Sequence, residues 1–224
     1  MNRRLLIISA LAIILLTIGL TVVWLGERPE EKDIKVIFEQ KYRKCQEWSE
    51  SHGYLSFPGA SEPYMEIIEL GPPVLPYAME KMKEGDFFLD FVVSIITKKD
   101  FDKSEWPPGK LGDSRTAAKM FVKWWHEGRK QTPQQFEKLY QEWKDLKKKG
   151  KVEEAGERYQ RIKDLGIAAL PYMIKKIEQG DKKLVPAFSY LIDDAVKKNA
   201  STLECVDWWK KNKDKWTLPP IESK

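Results

Sequence analysis

Asp164–Asp181 reads DLGIAALPYMIKKIEQGD, and Glu69–Asp86 reads ELGPPVLPYAMEKMKEGD. Aligned without a gap, residues 64–86 and 159–181 share ten identities in 23 positions: Tyr64/Tyr159, Ile67/Ile162, Leu70/Leu165, Gly71/Gly166, Leu75/Leu170, Pro76/Pro171, Tyr77/Tyr172, Lys81/Lys176, Gly85/Gly180 and Asp86/Asp181. Average composition would give roughly one or two. Leu89/Leu184 and Ser94/Ser189 extend the match, and both copies close on a tryptophan pair, Trp124-Trp125 and Trp208-Trp209. A duplicated helical unit accounts for the pattern.

Each shared element of the two copies has a physical reason. Gly71 and Gly166 come after a short amphipathic helix and accept the positive φ that ends it. Pro76 and Pro171 sit in the first turn of the next helix, where a missing N–H costs nothing. Leu75, Met79 and Met82, and Leu170, Ile174 and Ile177, then recur at helical spacing. Asp86 and Asp181 are placed to cap the third helix. That helix carries Leu89, Val92, Val93 and Ile96 in the first copy, and Leu184, Phe188, Leu191 and Ile192 in the second. The last helix of the second copy opens on Ser201-Thr-Leu-Glu204, a capping box.

Between the copies the sequence predicts a helical hairpin. Thr132-Pro133-Gln134-Gln135 reads as an N-cap, an N1 proline and a Gln at N3. Phe136, Leu139, Tyr140, Trp143 and Leu146 form one apolar stripe, and Val152, Ala155, Tyr159 and Ile162 form that of the returning helix. Ile34, Ile37, Phe38, Tyr42, Cys45 and Trp48 predict a further helix before the first copy. The main loop is 98–112, whose Pro107-Pro108-Gly109 forbids a helix; Trp106 is expected to pack it down.

The N-terminus reads as a membrane anchor. After Arg3 and Arg4, the 21 residues Leu5–Leu25 carry no charge. As a helix of about 30 Å they would span a bilayer core. The basic pair predicts a cytoplasmic N-terminus and an extracytoplasmic remainder, periplasmic or on the cell surface. No small-residue cleavage site comes after the run, which favours an uncleaved anchor. Without the two arginines, 37 basic and 34 acidic residues leave +3, a balance that gives no footprint for nucleic acid. Of the two cysteines, Cys45-x-x-Trp48 and Cys205-x-x-Trp208 stand in similar contexts, which predicts two small core residues rather than a disulfide.

Leu-Gly-x-x-Ala-Leu-Pro-Tyr-x-Ile followed by Gly-Asp, in Leu165–Asp181, resembles the first helix of a HEAT repeat and its turn, and Leu70–Asp86 matches more loosely. The tandem with its Trp-Trp endings is similar to uncharacterised bacterial HEAT-like proteins with an N-terminal anchor. The resemblance covers about residues 62–217. It departs from the family after the turn, where Val-Arg is usual and this chain has Val185-Pro186 and Phe91-Val92. It implies an all-α fold, a HEAT-like α-α superhelix (solenoid) preceded by one transmembrane helix, with a protein-binding surface. The expected divisions are a 1–27 anchor, a 28–60 membrane-proximal helix and linker, a 61–130 first unit, and 131–220 as hairpin plus second unit.

Reactive chemistry is sparse in the sequence. HEAT-like deoxyhypusine hydroxylases hold two irons through several His-Glu pairs; this chain has one, His126-Glu127, and His52 precedes Gly53. Cys45 and His52 are seven apart on one helix, without a third orienting group or an oxyanion-hole motif. Asp193-Asp194 and Glu153-Glu154 are adjacent pairs that point apart on a helix. No catalytic, cofactor-binding or metal-ligating residue is therefore assigned. The expectation is a noncatalytic scaffold or adaptor for a protein partner, contacting it through the third-helix faces and the 98–112 loop. The alternatives are a hydrolase or carbohydrate-acting protein with an aromatic groove, and a purely structural envelope protein.

Overall fold

The computed structural model describes residues 29–52 and 61–221, with side chains from residue 33 onward. Among the described residues the chain is all-α: ten helices and no strand. The expected anchor, Leu5–Leu25, lies outside the described residues, and none of the described helices is long and apolar enough to cross a membrane. The described residues from Phe38 onward form one compact unit.

The helices fall into two runs of five. In the first run α1 spans Pro29–His52, α2 Glu62–Ile68, α3 Leu75–Glu84, α4 Leu89–Thr97 and α5 Ser114–His126. In the second, α6 spans Thr132–Lys148, α7 Val152–Asp164, α8 Leu170–Glu178, α9 Val185–Leu191 and α10 Thr202–Trp216. The alignable segment covers α2–α4 and α7–α9, and the tryptophan pairs lie on α5 and α10. That leaves α1 and α6 in the same place in the order, and their contacts agree. Phe38 stacks on Tyr42 at 5.8 Å and meets Tyr77 at 5.9 Å; Phe136 stacks on Tyr140 at 6.0 Å and meets Tyr172 at 6.2 Å. Tyr42 donates its hydroxyl to Asp86 and Tyr140 donates to Asp181, each at 2.8 Å. Lys81 pairs with Glu39 and Lys176 with Glu137. Phe-Glu-x-x-Tyr thus recurs with like contacts on α1 and α6, and α6, which packs against α7 as the expected hairpin, also stands where α1 stands in the order of helices.

The turn chemistry agrees with the sequence. Pro76 and Pro171 lie in the first turns of α3 and α8. Asp86 accepts from the Phe88 amide and Asp181 from the Lys183 amide, so each caps the turn that leads into α4 or α9. Ser201 and Glu204 form the expected capping box of α10. Thr132 departs from expectation. A 3₁₀ turn, Gly128–Gln131, runs straight into α6, so Thr132 is already helical and buried and the cap position falls to Gln131. Val152 also departs: it opens α7 at the hairpin's solvated end and is 82% exposed, so the stripe of that helix starts at Ala155.

Most of the core is the set the periodicity selects, although Ile37 is exposed and Leu139, Leu146 and Tyr159 are half-buried. Leu75, Met79, Leu170 and Ile177 are buried, as are Leu89, Val92, Val93 and Ile96 on α4, and Phe188 and Leu191 on α9. No residue of α4 is exposed. The second copy's third helix differs: α9 exposes Pro186 and Tyr190.

Asp90, in the first turn of α4, is drawn into this core. Burial pushes its carboxyl up to about 6, against hydrogen bonds from Ser114 and the Phe91 amide, with Asp86 and Asp113 adding to the rise. A folded-state pKa above the unfolded value means the charge opposes folding once pH exceeds about 6, and the opposition fades as pH falls towards the unfolded pKa. Asp90→Asn is expected to raise the denaturation midpoint at about pH 8 and to give no gain at about pH 4. An equal gain at both pH values would refute this account.

Candidate functional site

The two runs of helices meet along the loop after α4. Lys99 and Leu165 form an isolated antiparallel bridge, and the Asp100 amide donates to the Asp164 carbonyl at 3.0 Å. Gly166 sits against this junction. Its φ is +69°, and a Cβ there would lie 2.3 Å from the Thr97 carbonyl oxygen and 2.8 Å from the Lys99 nitrogen. Gly71, its counterpart, has φ +70° but faces only the end of the Lys215 side chain at 3.5 Å. The same glycine thus serves a turn in one copy and a backbone-to-backbone approach in the other.

Past the junction the 98–112 loop stands off from α6 and α7, leaving an open groove of about 1070 Å³. One wall is the loop, held by its own chemistry. Phe101 meets Phe121 edge-on at 5.0 Å, and Lys99 lies 4.2 Å over the Phe101 ring. Asp102 caps the short turn Lys103–Glu105 in a capping box. Trp106 is half-buried, consistent with its expected role in packing the loop. The second wall is α5, presenting Lys119, Met120, Lys123 and Trp124; the third is α6 and α7, with Leu139, Glu142, Arg158 and Arg161.

Most charges in the groove are already matched. Arg158 contacts Glu142 at 2.7 Å, Arg161 reaches Asp102 at 3.6 Å, and Lys138 and Lys99 stand 4.0 Å from Glu142 and Glu105. Burial lowers the Lys99 pKa, opposed by Glu105, Asp100 and Asp164. Burial also raises the pKa of Asp164, against a hydrogen bond from Gln160. Lys110, Lys119 and Lys123 are exposed and make no ion pair among the described residues, and the exposed carboxylates Asp100 and Glu127 make none either; Lys119 and Lys123 stand one helical turn apart on α5.

The residues weighed for catalysis do not converge there. His126 is exposed in the last turn of α5 and does not line the groove, although Glu127 does. His52 is exposed and stacks on Trp48 at 4.7 Å. Cys45 is buried on α1, and burial, with Asp86 and Glu66 adding, pushes its thiol up to about 12. A thiol so held is protonated and a poor nucleophile. Cys205 is buried and unbonded too, with its pKa raised by burial. Both are core residues, as expected, but their positions are not equivalent: Cys45 lies on α1, whose counterpart is α6, whereas Cys205 lies on α10, whose counterpart is α5. At about pH 8 both thiols are expected to react with a disulfide reagent more than about a hundredfold slower in the folded chain than in denaturant. Fast labelling of Cys45 in the folded chain would overturn its assignment to the core.

The tryptophan pairs are structural. Trp124 and Trp125 are both buried; Trp209 is buried, and Trp208 is half-buried against Phe188 and Trp216, each 5.9 Å away. Arg129 extends the Trp125 site: its guanidinium lies 3.9 Å over the ring and donates to the Pro219 carbonyl, tying down the segment after α10. The groove was half legible in the sequence. Its loop was marked by Pro107-Pro108-Gly109, whereas its opposite wall depends on how α6 and α7 are placed. No protein-family model matches the chain, and comparison with curated proteins and solved structures likewise returns no match.

Proposed function

We propose that this protein is a noncatalytic, membrane-anchored scaffold with a HEAT-like helical domain, which binds another protein on the outer side of the membrane. The groove beside the 98–112 loop supports this reading most directly. It has the make-up of a protein interface: apolar and aromatic groups at its base and a rim of long charged side chains. At about 1070 Å³ it exceeds the usual range of small-ligand pockets and suits a length of polypeptide. The anchor and the orientation rest on the uncharged run Leu5–Leu25 behind Arg3 and Arg4.

The test is in-membrane crosslinking from a photoreactive residue at Leu139 in the full-length chain, followed by affinity capture and mass spectrometry. The expected result is a reproducible protein partner above a control that carries the anchor alone. Recovery of nothing beyond that control, from Leu139 or from probes on other exposed faces, would sink the scaffold reading.

A further inference from the structure

The groove's charges define its partner further, an inference that rests on the protein-binding reading above. Among its carboxylates, Asp102, Glu105 and Glu142 are taken up by Arg161, Lys99 and Arg158. Asp164 accepts from Gln160 at 2.7 Å. On the α5 wall Lys119 and Lys123 project from successive turns, neither in an ion pair among the described residues, on either side of Met120 and above buried Trp124. Leu139, half-buried, lines the opposite wall. From this arrangement we infer that the groove binds an acidic polypeptide segment, its carboxylates meeting Lys119 and Lys123 and an apolar side chain seated among Met120, Trp124 and Leu139. Complementary charge steers such a segment in, and the apolar contact holds it.

A nucleic acid fits less well. Asp100 and Glu127 also line the groove, and a continuous phosphate backbone would meet both carboxylates. A polypeptide places its charges singly and can set an apolar or basic residue beside them.

The test is selection from a displayed library of random short peptides on the full-length chain in detergent. Enriched peptides are expected to be net acidic with at least one large apolar residue. Their affinity is expected to fall about tenfold or more in the charge reversal Lys119→Glu/Lys123→Glu, since like charges across an interface cost more than one tenfold step. The reversal Lys210→Glu/Lys213→Glu, on exposed positions of α10, makes the same change in net charge elsewhere and is expected to leave binding intact. Both variants are exposed-surface changes, and unaltered thermal unfolding confirms that each is folded. Enrichment of neutral or basic peptides, no enrichment, equal loss in both variants, or displacement of the peptides by a single-stranded oligonucleotide would each overturn the inference. Acidic peptides that ignore the α5 reversal but crosslink to another face would refute this groove and leave the scaffold reading standing.

Discussion

Gly166→Ala is expected to destabilise the protein by about 3 kcal/mol, whereas Gly71→Ala is expected to cost about 1 kcal/mol. The two glycines occupy matching positions in the repeat and have nearly the same φ, +69° and +70°. An alanine therefore meets the same left-handed backbone penalty at either place, roughly 1–2 kcal/mol, offset slightly by a less flexible unfolded chain. The difference lies in what a methyl group would touch. At Gly71 it meets Lys215 Cε at 3.5 Å, an ordinary contact with a mobile side chain. At Gly166 it lies 2.3 Å from the Thr97 carbonyl oxygen and 2.8 Å from the Lys99 nitrogen, both backbone atoms. The Lys99–Leu165 bridge and the Asp100–Asp164 hydrogen bond depend on that same approach, so the chain can relax only by opening the junction. Denaturant midpoints of the two variants, measured on the full chain in detergent, decide the point. Equal losses would show that the close approach contributes nothing.

This pair of glycines shows where sequence reading succeeds and where it stops. Positive φ at both was legible, because a helix that ends at Leu-Gly and restarts at Leu-Pro needs it. The unequal neighbours were not, because both glycines face the other run of helices but only the second meets its backbone, the first meeting the end of the Lys215 side chain. The same limit explains α6. Phe136 and Tyr140 stand 98 residues after Phe38 and Tyr42, whereas the rest of the match is spaced by 95. Three residues fewer between Tyr140 and Tyr159 than between Tyr42 and Tyr64 break an ungapped alignment just where the first helix joins the second. The sequence therefore presents the Phe-Glu-x-x-Tyr copy as a separate hairpin. For the groove, the loop was visible as a helix breaker and the lysines of α5 as two surface charges. That Arg158 and Arg161 pair with Glu142 and Asp102, while Lys119 and Lys123 make no ion pair among the described residues, is a property of packing alone.

If α1 and α6 are counterparts, removing their phenylalanines should have matching consequences. Phe38→Ala and Phe136→Ala are each expected to cost about 3–5 kcal/mol, the usual range for emptying a buried aromatic site. Phe38 is 0% exposed and Phe136 1% exposed, so neither site offers water a way in to soften the loss. Each ring also holds a tyrosine in a stack, with interplanar angles of 8° and 12°. Each of those tyrosines donates to the aspartate that caps the next turn, Asp86 or Asp181. Burial alone would raise the Asp181 carboxyl, but hydrogen bonds from Tyr140 and Lys144 hold it below its ordinary value. Loss of Phe136 frees Tyr140 and weakens that hold, so part of the cost is carried by a charged group and not by the cavity. Because the folded-state pKa of Asp181 is depressed, its contribution is present above the unfolded pKa and is lost as pH falls through the folded value. The penalty of Phe136→Ala is therefore expected to shrink in acid. Measuring both variants at about pH 7 and about pH 3 separates the two components. A large penalty for Phe136→Ala with a negligible one for Phe38→Ala would show that the first helix of the first run does not share the role of α6, and the five-helix repeat would then begin at α2.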